Sequence, residues 1–116
     1  MSLKTVPSDW HRDVVAVLRT DDSRAIRYTD DAWKRFEATF PDAFRSDLHA
    51  AFRTALRDDT LVGCPVEMKT PPGETWEFYF SFRGRRLYGK ILLRPDRSGV
   101  VIFSAHPPLK DKLICE

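Results

Sequence analysis

Three short segments hold most of the side chains able to do chemistry: EFYFSFR (77–83), GRRLYGKILLR (84–94) and VVIFSAH (100–106). Together they supply a carboxylate (Glu77), two phenols (Tyr79, Tyr88), a run of cations that includes Arg83, Arg86 and Lys90, and an imidazole (His106). Six of the fifteen residues from Arg83 to Arg97 are Arg or Lys. Such a set can hold a chain of phosphates, because guanidinium groups match phosphate oxygens two at a time. It can equally be the solvated face of an ordinary sheet. Charge is unevenly spread along the chain. Residues 1–77 carry a net −3 and residues 78–116 a net +5. A locally positive C-terminal third suits an anionic partner, or else is neutralised within the fold.

The elements that must position these groups read as strands. TWEFYFSFR alternates, with Trp76, Phe78, Phe80 and Phe82 on one face and Glu77, Tyr79, Ser81 and Arg83 on the other. Taking Gly84-Arg85 as a two-residue type II′ turn pairs Arg83 with Arg86, Ser81 with Tyr88 and Tyr79 with Lys90. Gly89 then lies opposite Phe80 and leaves room for its ring. The five-residue connection PDRSG pairs Arg94 with Val100. This sets Ser104 opposite Lys90 and His106 opposite Tyr88, and continues the core face with Val101, Phe103 and Ala105. A loop one residue shorter would turn His106 away. On this register Glu77, Tyr79, Ser81, Arg83, Arg86, Tyr88, Lys90, Ser104 and His106 share one face, with Leu92, Val100 and Ile102 among them. Opposed arginines at 83 and 86 would repel, which points to a ligand unless both splay into water.

Upstream, Trp10, Val14, Val17 and Leu18 recur on one helical face after an N-cap at Ser8. RAIRYT is a short strand. Two aspartates open a helix in which Trp33, Phe36 and Phe40 share a face before Pro41. A third helix carries the stripe Phe44, Leu48, Ala51, Phe52 and Ala55. Beside it run Arg45, His49, Arg53 and Arg57, either a solvated flank or a second basic rim. LVGCPVEMK is a strand whose Pro65 marks an edge or a bulge. The expected fold is therefore α+β: an antiparallel β-sheet of four to five strands, with helices 30–40 and 42–57 packed on one face, plus an N-terminal extra helix. The 116 residues form one domain, divided into a helical extension (1–23), a core (24–106) and a tail (107–116). No apolar run approaches a membrane span. The opening MSLKTVPSDW lacks the apolar stretch of a secretory signal. Cys64 and Cys115 show no CxxC spacing, and the three histidines are scattered. The expectation is two free thiols, no metal, no cofactor and a cytoplasmic chain.

The run IRYTDDAWKRFEATFP resembles the opening of RelE-like toxins, in which a first strand leads through a polar turn into a helix with an early aromatic or apolar residue. A second helix and an Arg- and Lys-rich antiparallel meander then follow in the same order, and VVIFSAH is similar to the last strand, which ends near a functional His or Tyr. The likeness covers roughly residues 24–106. PPGETWEFYF lacks the family's Gly-x-x-Arg-like segment, and the helix at 8–19 is an addition. The resemblance implies the toxin component of a toxin–antitoxin pair, a metal-free endoribonuclease in which a 2′-hydroxyl attacks the adjacent phosphate. RNA, the ribosome and an antitoxin protein would be its partners. The catalytic set would be His106, Glu77 and Tyr88. Arg83, Arg86 and Lys90 would bind phosphate, and Tyr79 and Tyr88 would stack on bases. A non-catalytic RNA- or ribosome-binding module would use the same face without His106. A relative of the toxins that inhibits another target, such as a topoisomerase, would keep the fold with an inert face, and a protein- or small-ligand-binding α+β domain would use a cleft between sheet and helices.

Overall fold

The aromatic alternation at 74–82 becomes the middle of a sheet. In the computed structural model, which describes residues 2–116, the chain runs β1 (Lys4–Thr5), α1 (Ser8–Leu18), β2 (Ile26–Tyr28), α2 (Asp30–Thr39), α3 (Arg45–Leu56), β3 (Val62–Val66), β4 (Glu74–Phe82), β5 (Arg85–Leu93) and β6 (Val100–His106). The strands order as β1-β3-β4-β5-β6-β2. The fold is α+β as expected, but the sheet has six strands rather than four or five, and it is mixed. β2 lies parallel to β6, with Ile26 beside Val100 and Tyr28 beside Ile102, because α2 and α3 carry the chain back across the sheet before β3 begins. The extra strand is β1. It covers only Val62 and Gly63 of β3, so the part of β3 that holds Pro65 has an open side, which suits a residue lacking an N–H.

All three helices contribute to one core, together with Trp76, Phe78, Phe80 and Phe82. Trp10, Phe36, Phe52 and Phe78 are fully enclosed. Trp10 and Phe52 meet Phe78 edge-on, and Phe36 and Phe40 meet Phe82 in the same way. The N-terminal helix is thus part of the core. The His11 ring joins it to the end of α3, its nitrogens lying 2.6 Å from the Leu56 carbonyl and 3.0 Å from that of Val6. At the other end of the sheet, Arg97 in the β5–β6 loop faces Asp13 and Asp9 of α1 and Glu74 of β4. Helix caps differ from expectation in two places. Pro7, not Ser8, precedes the first turn of α1. Phe44 is the N-cap residue of α3 and is largely exposed, so the buried stripe of α3 begins at Leu48. The cap of α2 is Thr29, whose hydroxyl accepts from the Ala32 N–H at 3.1 Å.

The β4–β5 hairpin turns one residue earlier than expected. Arg83 and Gly84 form the turn, with φ of 50° and 78°, and Phe82 pairs with Arg85, Ser81 with Arg86, Tyr79 with Tyr88 and Glu77 with Lys90. Positive φ at both central residues is the type I′ signature, whose twist matches that of the flanking strands. The opposed Arg83–Arg86 pair does not form. Face assignments survive, because moving the turn by one residue moves each partner by two. Gly89 now lies opposite Phe78, yet it still makes room for a ring: an added Cβ would come within 3.0 Å of both Phe80 and Phe52.

His49 is not a solvated flank residue. It is buried, stacks on Tyr28, and donates from Nδ1 to Asp21 at 2.7 Å. Its Nε2 and the Tyr28 hydroxyl are enclosed without a partner. Burial holds the His49 imidazole below its ordinary value of 6.5, outweighing the pull of Asp21, while the cations Arg53 and Arg45 push in the same direction as burial.

Two outcomes follow from this packing. Phe80→Ala should lower stability by about 3–5 kcal/mol in denaturant unfolding; a loss under about 1 kcal/mol would contradict the enclosed ring. The unfolded chain binds a proton at His49 more readily than the fold does, so stability should decline as pH falls through about 6.5 and onward to the lower folded value. His49→Gln should remove that share of the decline as pH falls below about 7, and identical slopes for the two proteins would show that His49 titrates alike folded and unfolded.

Candidate functional site

β5 and β6 set His106 opposite Tyr88 and Ser104 opposite Lys90, as expected, but Val100 pairs with Leu93 rather than with Arg94, so the connection is one residue longer than the five expected. Between Lys90 and Ile91 the register shifts, so that Ile91 faces Ile102 and Phe103 is the extra residue of a bulge. The bulge reverses the faces of β6 on its two sides. Val100 and Ile102 enter the core, whereas Val101 and Phe103 are only half-buried. This corrects the expected assignment of Val101 and Phe103 to the core and of Val100 and Ile102 to the polar face. The swap satisfies both ends of the strand: Val100 and Ile102 pack beside Ile26, while Ala105 stays in the core and His106 stays outside it. Phe103 comes to lie near the Lys90 ammonium, 5.7 Å from ring centre to Nζ.

The outer face is covered. Residues 107–116 fold back over it, and Cys115 is disulfide-bonded to Cys64 of β3. The two free thiols expected from the sequence are therefore a bridge across 51 residues, with Cα atoms 5.7 Å apart. Leu113 is buried beside the two cysteines, against Tyr79 and Tyr88. Glu77, enclosed in mid-sheet, has both oxygens occupied: Oε1 accepts from the Tyr88 hydroxyl at 3.2 Å and Oε2 from the Ile114 N–H at 3.1 Å. Between the sheet and this strap lies a cavity of about 770 Å³. Glu77, Tyr79, Tyr88, Lys90 and His106 form its floor, Val66 one side, and Pro108 to Ile114 its wall.

Within the cavity, His106 is held in one tautomer. Its Nδ1 lies 2.8 Å from the Pro107 carbonyl, which can only accept, so Nδ1 carries the proton and the neutral ring presents Nε2 as a lone pair. Nε2 has no hydrogen-bond partner among the described residues. The ring tilts against Tyr88, with centroids 5.4 Å apart. Burial, and then the Glu77 carboxylate, raise the Tyr88 phenol above its ordinary value, so Tyr88 stays protonated and acts as a donor.

Five of the seven residues singled out from the sequence thus meet in one cavity. Arg86 stands at its margin, its guanidinium 3.7 Å from the centre of the Tyr79 ring. Arg83 is not brought there: it sits in the hairpin turn and donates to Asp42 at 2.9 Å, beside α2. Missing from the sequence reading are Lys110, Asp111, Lys112 and the apolar residues of the strap, which line the cavity. The signal for them was the second cysteine next to Leu113 and Ile114. Among the described residues, no three His, Cys, Asp or Glu side chains stand together as a metal-binding group, and no helix is long and apolar enough to cross a membrane.

Tyr88→Phe strands one oxygen of an enclosed carboxylate and should lower stability by about 1–3 kcal/mol, read by urea unfolding together with faster hydrogen exchange at the Ile114 amide. Unchanged stability and unchanged exchange would mean that the Tyr88–Glu77–Ile114 chain does not hold the strap. No protein-family model matches this chain, and neither do any of the curated proteins or the solved structures.

Proposed function

We propose that the cavity floor is an RNA site and that His106 is its general base, making the chain an endoribonuclease of the toxin kind. One observation carries this reading. His106 offers a free Nε2, fixed by the Pro107 carbonyl, in a cavity shared with an ammonium (Lys90) and a phenol (Tyr88). In the reaction, Nε2 takes the proton of a ribose 2′-hydroxyl, O2′ bonds to the adjacent phosphorus, and the bond to the 5′-oxygen breaks. The leaving oxygen takes a proton from solvent, and the products are a 2′,3′-cyclic phosphate and a free 5′-hydroxyl. Lys90 offsets the charge that grows on the phosphoryl oxygens, with Arg86 reaching phosphate at the margin. Tyr79 and Tyr88 offer ring faces for unstacked bases. Glu77, with both oxygens engaged, positions Tyr88 and takes no proton from substrate.

The order of elements supports the reading, since residues 26–106 run strand, helix, helix and antiparallel meander, as in the RelE-like chains this segment resembles. On that reading the protein works in the cytoplasm, on RNA or on the ribosome, and is restrained by an antitoxin partner. A second reading is favoured by the engagement of Glu77 and Tyr88 with each other. With Glu77 and Tyr88 taken up by each other, the same face would bind RNA without cutting it.

His106→Gln separates the two. It should slow RNA cleavage by at least about 10²-fold, the lower end of a general base contribution, while binding of a 2′-O-methyl RNA is retained. Lys90→Ala should flatten the log–log salt dependence of that binding by about 0.7 units, the contribution of one contact to a single strand. Wild-type cleavage by His106→Gln would remove the base, binding without cleavage by the unmodified chain would leave the module reading, and no binding at all would remove both.

A further inference from the structure

We infer that the strap is a redox-latched cover that decides what length of RNA reaches the cavity floor; this rests on the reading of that floor as an RNA site. The strap carries no helix or strand beyond His106. It is held to the body by the Cys64–Cys115 bond, by burial of Leu113 and by the Ile114 N–H on Glu77. The residues on either side of Leu113 and Cys115 are mostly exposed: Leu109 and Ile114 leave about three-quarters of their surface in water, at 75% and 72%. One apolar side chain and two backbone N–H groups, Ile114 on Glu77 and Cys115 on Cys64 Sγ at 3.2 Å, are a light attachment for ten residues, so the covalent bond is the dominant restraint. While it is intact, the cavity of about 770 Å³ is lined on the strap side by Pro108 to Ile114. That volume admits a nucleotide or the end of a chain. On this inference the intact wall keeps a continuous strand from running across Tyr79, Tyr88 and His106.

Reduction would remove the wall. A dithiol thiolate attacks Sγ of Cys115, the less enclosed of the pair at 8% exposure against 0% for Cys64, and Cys64 leaves as a thiolate. The second thiol of the reductant then displaces Cys115, so the dithiol ends as its own disulfide and both cysteines end reduced, the protein taking up two electrons and two protons. A disulfide in a compartment that keeps thiols reduced is more often a switch than a staple, and this one tethers the cover of the site. The released strap takes Leu113 off Tyr79 and Tyr88 and its N–H off Glu77, which opens the floor along the strand direction.

The test compares the full chain in three forms: oxidised, reduced with dithiothreitol, and Cys115→Ser. Trypsin cleavage after Lys110 and Lys112 reports strap release, and near-ultraviolet circular dichroism reports the fold. Binding is measured to adenosine 5′-monophosphate and to a 2′-O-methyl single-stranded RNA longer than a strand site of about 4–16 nucleotides. Both released forms should be cut in the strap faster than the oxidised form. They should bind the long RNA about tenfold or more tighter, a change of about 1.4 kcal/mol, with binding of the mononucleotide within about twofold. Cleavage of the strap that is independent of the disulfide overturns the latch. A freed strap with equal long-RNA binding in all forms overturns the gate and leaves the RNA site standing. Absence of binding to either probe in any form overturns the RNA site, and the gate with it. If Cys115→Ser loses its near-ultraviolet signal, the reduced wild-type chain decides.

Discussion

Strand β4 is enclosed on both of its faces, and the rest of the fold is arranged to meet that constraint. Its inner side chains, Trp76, Phe78, Phe80 and Phe82, need an apolar cover, and its outer ones include Thr75 and Glu77, both nearly free of solvent. The helices cover the first set. The chain beyond the last strand covers Glu77 and Tyr79 of the second. The two covers are of different kinds, because apolar rings need only area whereas an enclosed carboxylate needs donors in defined places.

That difference explains the character of the two layers. The inner layer is held by many interchangeable contacts, with aromatic rings edge-on to one another, and would tolerate conservative changes. The outer layer hangs on few, specific links: Tyr88 and Ile114 on Glu77, and Cys115 on Cys64. A layer held by few links is the one that can open without loss of the core. It is also the layer where the free imidazole nitrogen of His106 lies. The helices thus cover one face of the sheet and the strap covers the other.

A second polar constellation sits at the opposite end of the helical layer. Asp21, with φ of 48°, holds the buried His49 against Tyr28, and Arg45 lies over both Tyr28 and Trp33. It joins the loop after α1 to α3 and β2. Its links are hydrogen bonds and ring stacking rather than shared apolar surface, which makes this junction responsive to proton concentration where the aromatic core is not.

Local pattern alone determined a good deal. Period-two alternation in 76–82 placed Glu77 and Tyr79 together on one face, and it did so independently of the turn, because a one-residue change at Arg83-Gly84 preserves parity. The pairing of His106 with Tyr88 was expected from a five-residue loop, but the connection is one residue longer, and it is the bulge at Phe103 that restores the pairing. Helical periodicity placed Trp10, Phe36 and Phe52 inward. What depended on distant partners could not be read this way. The bulge at Phe103 arises because β6 must serve the core beside β2 at one end and the outer face at the other, and neither demand is visible within VVIFSAH. Phe44 looked like the start of a stripe, but a residue at a helix boundary takes its burial from what the preceding loop does. His49 had the spacing of a solvated flank until Asp21 and Tyr28, 28 and 21 positions away in the chain, enclosed it. The pairing of Cys64 with Cys115 was decided by tertiary structure alone, since two cysteines 51 residues apart become neighbours only when the outer face of β4 has to be covered and the tail is the one segment left to cover it.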